Sequence, residues 1–129
     1  MERCRLVFSG SGGQGVITAA IILAESAVIH EKLTATQAQS YGPEARGGAT
    51  RSDVIISDSR IHYPKVIQPN VLVCLTQEAY NKFSFIVRPG GFLLLDSRYV
   101  QPHAKVDARQ ISLPMYQNVM DEIGKAIVF

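Results

Sequence analysis

Residues 7–16 read VFSGSGGQGV. An apolar run, Leu6-Val7-Phe8, ends in a stretch of glycine and serine, and an apolar periodic segment follows at once. Gly10, Gly12 and Gly15 match G-x-G-x-x-G, with Gly13 as an additional glycine. The pattern carries weight only between a strand and a helix, and both neighbours are present. Residues 4–9 (CRLVFS) predict a buried strand. Val16, Ile17, Ala20, Ile21, Leu23, Ala24, Ala27 and Val28 recur at helical spacing. Bare backbone lets the chain turn tightly and lets an anion approach the N–H groups, while the open helix end supplies donors for phosphate. The same glycines would also serve the close packing of helix on strand, or of chain on chain.

The helix after this turn is apolar over much of its circumference, which predicts packing between a sheet and something else. Residues 33–39 (LTATQAQ) predict a second short strand. Residues 40–48 (SYGPEARGG) form an irregular loop with one proline and three glycines. Residues 50–57 and 60–63 flank Asp58-Ser59 and predict a hairpin, with Asp53 and Asp58 as hairpin residues. Residues 70–75 (NVLVCL) form the continuous apolar run of a central parallel strand. Thr76 is the expected cap of a helix over 77–85, with Glu78 matching its dipole. A turn at 88–91 feeds a strand at 92–96 (FLLLD). One more short strand is expected within 106–113 and a helix over 116–128, with Val119, Ile123 and Ile127 on one face. The alternation predicts an α/β fold: a Rossmann-like, mostly parallel sheet with an antiparallel hairpin at its margin.

Dinucleotide binding of the usual kind fits poorly. It needs an acidic residue at the end of the second strand to hold the ribose. Glu31 stands before that strand, and the strand runs out in Gln37, Ala38, Gln39 and Ser40. The 40–48 loop offers other chemistry. Arg46 carries a fork for phosphate or carboxylate, Tyr41 a flat face and a hydroxyl, and Glu44 a carboxylate for a ligand or for Arg46. A solvated Glu44–Arg46 surface pair is the plainer reading. Loops at the carboxyl ends of parallel strands meet in one crevice, so 10–15 and 40–48 are expected to face each other.

Composition narrows the classes. The chain has 129 residues, 47% apolar and 19% charged, which is enough for a single domain with one real core. A net charge of +2, with Lys and Arg dispersed, argues against a nucleic-acid partner. The most apolar stretch, 16–29, contains Thr18, Glu25 and Ser26 and is too short to span a bilayer, so no membrane partner and a cytoplasmic location are expected. The two cysteines, Cys4 and Cys74, form no C-x-x-C pair. They cannot hold an iron–sulfur cluster or a zinc ion by cysteine, and are expected to be reduced, buried thiols. His30, His62 and His103 have no metal spacing. Asp96 ends a central strand and could reach the crevice or cap a turn.

Taken together, GSGGQG at 10–15, QSYGPEARGG at 39–48, NVLVCLTQEAY at 70–80 and RPGGFLLLD at 88–96 resemble the gamma subunit of 2-oxoacid:ferredoxin oxidoreductases. The resemblance extends over nearly the whole chain, and the QSYGPEARGG form is most like the 2-oxoglutarate type. It implies a single gamma-type domain over 1–129, C-terminally truncated relative to the family, since members continue with a further helical stretch. It implies a non-catalytic subunit supporting coenzyme A-dependent oxidative decarboxylation of a 2-oxoacid with reduction of ferredoxin. Coenzyme A would lie at or near this chain, and thiamine diphosphate and the iron–sulfur clusters on other subunits. The implied partners are alpha and beta subunits, a delta subunit where one exists, and ferredoxin through the complex. The apolar end at 126–129 invites self-association of the isolated chain. Carried over by residue, Gly10, Gly12, Gly13, Gln14 and Gly15 line the phosphate side, and Tyr41, Glu44, Arg46 and Gly47 belong to the facing loop. Two other readings are a stand-alone nucleotide-dependent enzyme and a pure assembly module whose glycine loop is structural.

Overall fold

A computed structural model describes residues 3–11, 15–39, 49–62, 65–102, 106 and 108–122. The elements run β1 (Cys4–Gly10), α1 (Val16–Glu31), β2 (Thr34–Gln39), β3 (Thr50–Ser57), β4 (Val71–Cys74), α2 (Gln77–Phe83), β5 (Phe92–Asp96), β6 (Arg109–Leu113) and α3 (Met115–Glu122). A 3-10 turn at Ser84–Ile86 extends α2. The expected alternation is therefore present.

The strands form one six-stranded sheet in the order β2-β3-β1-β4-β5-β6. The β1–β4, β4–β5 and β5–β6 pairs are parallel. β3 runs antiparallel to both β1 and β2. The mostly parallel sheet with an antiparallel margin is as expected, but the marginal hairpin has different members. It joins β2 to β3 through residues 40–49, and residues 60–62 are not in a strand. The reason lies in β3 itself. Ser52, Asp53, Val54, Ile55 and Ser57 are all buried, so β3 needs a neighbour on each edge. It finds them in β1 (Arg5↔Ile55, Val7↔Asp53) and β2 (Thr36↔Ile55, Gln37↔Val54). A short exposed return strand could not cover it.

The two sheet faces carry separate cores because strand residues alternate. On one face Val7, Ile55, Leu72, Cys74, Leu93 and Leu95 pack against Ala79, Tyr80 and Phe83 of α2. On the other, Phe8, Val71, Val73 and Leu94 pack with Val16 of α1 and Met115 of α3. α1 lies over β3, β2 and β1. It buries only Val16, Ala20 and Ala27, while Ile22, Val28 and Ile29 stay 59%, 47% and 68% exposed. The helix is thus packed on one side, and the rest of its apolar circumference has no cover within the described chain.

Asp53 is a second departure from expectation. It is not a turn residue but a buried anchor, 2% exposed. Strand alternation puts Arg51 and Asp53 on one face, where Arg51 Nε and Nη2 donate to the carboxylate at 2.8 and 3.0 Å. Val66 N–H donates to Asp53 Oδ2 at 2.9 Å, and Arg51 Nη2 also donates to Val66 O. The pair therefore pins the 65–70 segment, which folds back over this face. Among the described residues no helix is long and apolar enough to cross a membrane. The expected end of the last helix, with Ile123 and Ile127, lies outside the described residues, as does His103.

Candidate functional site

α1 leaves β1 toward one face of the sheet, and α2 leaves β4 toward the other. β1 and β4 are adjacent and parallel, so the gap between their carboxyl ends is the topological switch point, where this class of sheet opens a crevice. The crevice floor is stitched by Ser9. Its buried hydroxyl donates to Val73 O at 2.7 Å, and its carbonyl accepts from Leu75 N–H at 2.9 Å. The Ser9 hydroxyl also reaches Cys74 Sγ at 3.5 Å. Burial pushes the Cys74 thiol up to about 12, only partly offset by that hydroxyl. Both cysteines are free, and Cys74 is an inert core group rather than a nucleophile.

Gly10, at the end of β1, and Gly15, just before α1, stand at this floor. Gly10 is buried and paired with Thr50, whose hydroxyl donates to Gly10 O at 3.2 Å. Gly15 is the N-cap of α1 in the left-handed region, φ 81, with no side chain capping the helix. Its carbonyl accepts the first helical bond, from Ala19 N–H at 2.8 Å. The N–H groups of Val16, Ile17 and Thr18 precede that bond and have no intrahelical acceptor, as at any helix start. A Cβ on Gly15 would meet nothing within 4 Å, so glycine is required there by backbone conformation and not by crowding.

A cleft of about 410 Å³ at the ends of β1, β4 and β5 is lined by Ser11, Thr76, Gln77, Glu78 and Tyr99. Thr76 caps α2 as expected, its hydroxyl accepting from Ala79 N–H at 3.1 Å. Gln77 fixes the opposite wall: its Oε1 accepts from Gln101 N–H at 2.7 Å, and its Nε2 donates to Gln101 O at 3.3 Å. Tyr99 meets Tyr116 edge to face at 5.2 Å, with the Arg98 guanidinium 4.6 Å from the Tyr116 ring centre. Asp96 is fully buried at the end of β5. Its Oδ1 accepts from Tyr116 N–H at 3.2 Å and so holds the first turn of α3, while its Oδ2 has no hydrogen-bond partner among the described residues.

Of the site residues named from the sequence, Gly10 and Gly15 stand at this crevice. Gly12, Gly13, Gln14, Tyr41, Glu44, Arg46 and Gly47 lie outside the described residues. The strand ends do bring the roots of the two loops to one edge, since Gly10 pairs with Thr50 and Gln39 with Ser52. Ser11, Gln77 and Tyr99 were not singled out from the sequence. Their signal is positional only, each following a strand that proves to be parallel. His30 and His62 are exposed, and the described residues contain no group of three potential metal ligands.

The family model described as pyruvate ferredoxin/flavodoxin oxidoreductase matches residues 5–128. A 2-oxoglutarate synthase subunit KorC from Methanocaldococcus jannaschii is 44% identical over 98% of this chain and 68% of that protein. A ketoisovalerate oxidoreductase subunit VorA from Methanothermobacter marburgensis is 36% identical over 85% of this chain and 23% of that protein. Among solved structures, the gamma subunit of a keto/oxoacid ferredoxin oxidoreductase from Geobacter sulfurreducens superposes with a TM-score of 0.88. It is 39% identical and covers 98% of this chain and 69% of that one. A 2-oxoglutarate:ferredoxin oxidoreductase from Magnetococcus marinus, with 2-oxoglutarate, coenzyme A and succinyl-CoA bound, shares the fold at a TM-score of 0.77 and 19% identity. That match covers 98% of this chain and 22% of the larger one.

Proposed function

Because this chain belongs to the pyruvate ferredoxin/flavodoxin oxidoreductase family, we propose that it is the gamma subunit of a complex that oxidises 2-oxoglutarate, transfers the acyl group to coenzyme A and reduces ferredoxin. The 2-oxoglutarate assignment rests on the KorC relatives, which match at 37–47% identity over half or more of their own length. The ketoisovalerate VorA relatives match over about a fifth of theirs.

The observation that carries the role of this chain is Gly15, held in the left-handed region at the start of α1 with no side-chain cap of its own, where the glycine turn expected from the sequence meets the helix. That turn suits the phosphate side of coenzyme A, with Gly10, Gly12, Gly13, Gln14 and Gly15 as the cradle and Tyr41, Glu44, Arg46 and Gly47 as the facing loop. Backbone N–H groups bind phosphate without taking part in proton transfer, so this chain binds and orients rather than catalyses. Two cysteines, one of them fully buried, are not a donor set for an iron–sulfur cluster, so the clusters belong to other subunits, and the family resemblance assigns thiamine diphosphate to those subunits as well. The uncovered side of α1, with Ile21, Val28 and Ile29 lining a groove against Ala35 of β2, offers apolar surface to such subunits. A stand-alone nucleotide-dependent enzyme is not favoured, since β2 ends in Gln39 and no acid closes it to hold a ribose.

The test uses the reconstituted complex. Ferredoxin reduction is measured with 2-oxoglutarate, pyruvate and ketoisovalerate as alternative substrates, and coenzyme A binding by calorimetry. The expected result is preference for 2-oxoglutarate and loss of coenzyme A affinity in both Gly12→Val and Arg46→Ala. Unchanged coenzyme A binding in both variants would make the glycine turn a structural or assembly feature, and preference for another acid would remove the substrate assignment.

A further inference from the structure

The amino-terminal edge of the parallel strands, opposite the glycine turn, carries a pocket of about 540 Å³. Arg3, Arg5, Lys65 and Arg88 line it, from three separate parts of the sequence. Its remaining wall is Ile55, Ile67 and Gln68, and among the described residues no carboxylate lines it. Among the described residues none of these cations has an ion-pair partner. The nearby buried carboxylate of Asp53 is already taken by Arg51.

The backbone under these side chains is fixed. Asn70 N–H donates to Arg5 O at 2.8 Å, and Arg5 N–H donates back to Asn70 Oδ1 at 2.9 Å. Arg88 N–H donates to Pro69 O at 2.8 Å, and Asp53 holds Val66 N–H. Arg3 Nη2 donates to Arg60 O at 2.7 Å. Three chain segments are thus locked together so that like charges converge, which is unfavourable unless a counter-charge enters. Arginine forks match phosphate oxygens in pairs, and lysine adds a point charge. Ile67, 73% exposed beside these cations, gives a flat apolar seat next to them.

We propose that this pocket binds a diphosphate group, free or carried by a nucleoside. It is separate from the proposed coenzyme A turn: Arg5 and Gly10 lie at opposite ends of β1, about 17 Å apart at the usual strand rise. The experiment is calorimetric titration of the full chain with inorganic pyrophosphate and with ADP, each at two salt concentrations. One saturable pyrophosphate site is expected, weakening with salt. Arg5→Ala and Arg88→Ala each lower affinity about 10-fold, the loss of one charge-assisted hydrogen bond. Lys65→Ala, at an exposed position, gives the same reading without touching a strand. Arg109→Ala on β6 leaves the site intact. ADP binding tighter than pyrophosphate identifies a nucleoside diphosphate using the isoleucine seat, and equal binding identifies the bare diphosphate. No saturable binding, binding unchanged in the Arg5, Lys65 and Arg88 variants, or displacement of pyrophosphate by a glutamate-rich peptide at lower concentration would overturn the proposal. The last outcome would reassign the pocket to an acidic segment of a protein partner.

Discussion

Removing the Asp53 carboxylate should be the most destabilising single polar change in the described chain. In Asp53→Ala the Arg51 guanidinium, only 10% exposed, keeps its charge and loses both carboxylate contacts. Its remaining acceptor is Val66 O, and its remaining neighbour the Phe83 ring at 5.6 Å. Val66 N–H also loses its acceptor in a buried position. Breaking a buried pair from one side costs about 3–5 kcal/mol, because an uncompensated charge is left behind. For a chain of this length that lowers the melting temperature by about 10–20 °C. Urea unfolding of the full chain followed by circular dichroism measures the free energy. The cycle is closed with Arg51→Met and the double variant. The double variant should be more stable than Asp53→Ala alone, since apolar replacement of both partners removes the stranded charge. A loss below about 1 kcal/mol for Asp53→Ala, or additive effects in the double variant, would refute the argument that this pair holds the 65–70 segment to the sheet.

The buried thiol at Cys74 yields a pH prediction. Its folded pKa is raised from 9.0 to about 12 by burial, so its contribution is complete below pH 9 and is lost as pH rises toward 12. Unfolding free energy should fall above pH 9 with a limiting slope of about 1.4 kcal/mol per pH unit, and Cys74→Ala should flatten this slope while lowering stability at neutral pH. A wild-type profile no steeper than that of the variant would contradict the burial argument. Gly91→Ala addresses close backbone approach at the start of β5. A Cβ there would stand 2.7 Å from Asn70 O and 2.9 Å from Arg88 O, backbone atoms that cannot swing aside. The expected cost is about 1–3 kcal/mol in urea unfolding, and a neutral effect would mean that the turn can relax.

The elements themselves were legible. β4 and β5 are short apolar runs bounded by turn residues, and α1 shows helical periodicity, so local pattern and final structure agree. The hairpin partner of β3 was not legible. TRSDVIIS and RIHY are adjacent in sequence and both β-prone, but only the packed sheet reveals that β3 is buried on both sides and must sit between β1 and β2. The buried role of Asp53 had a local signal, an arginine two residues earlier on a strand, yet the same spacing on an exposed strand gives a solvated pair. The cleft wall of Gln77 and Tyr99 and the cations at 3, 5, 65 and 88 had no local signal at all.

Sequence alone determined the α/β class, the glycine-rich stretch between a strand and a helix, the resemblance to the oxidoreductase gamma subunit and the lack of cysteines for a cluster. These follow from residue type and near-neighbour spacing, which act over a turn or a strand. Tertiary structure alone decided the strand order, the switch point between β1 and β4, and the gathering of dispersed cations at the opposite edge. Those depend on which distant segments bury one another's apolar faces, and spacing along the chain does not record that.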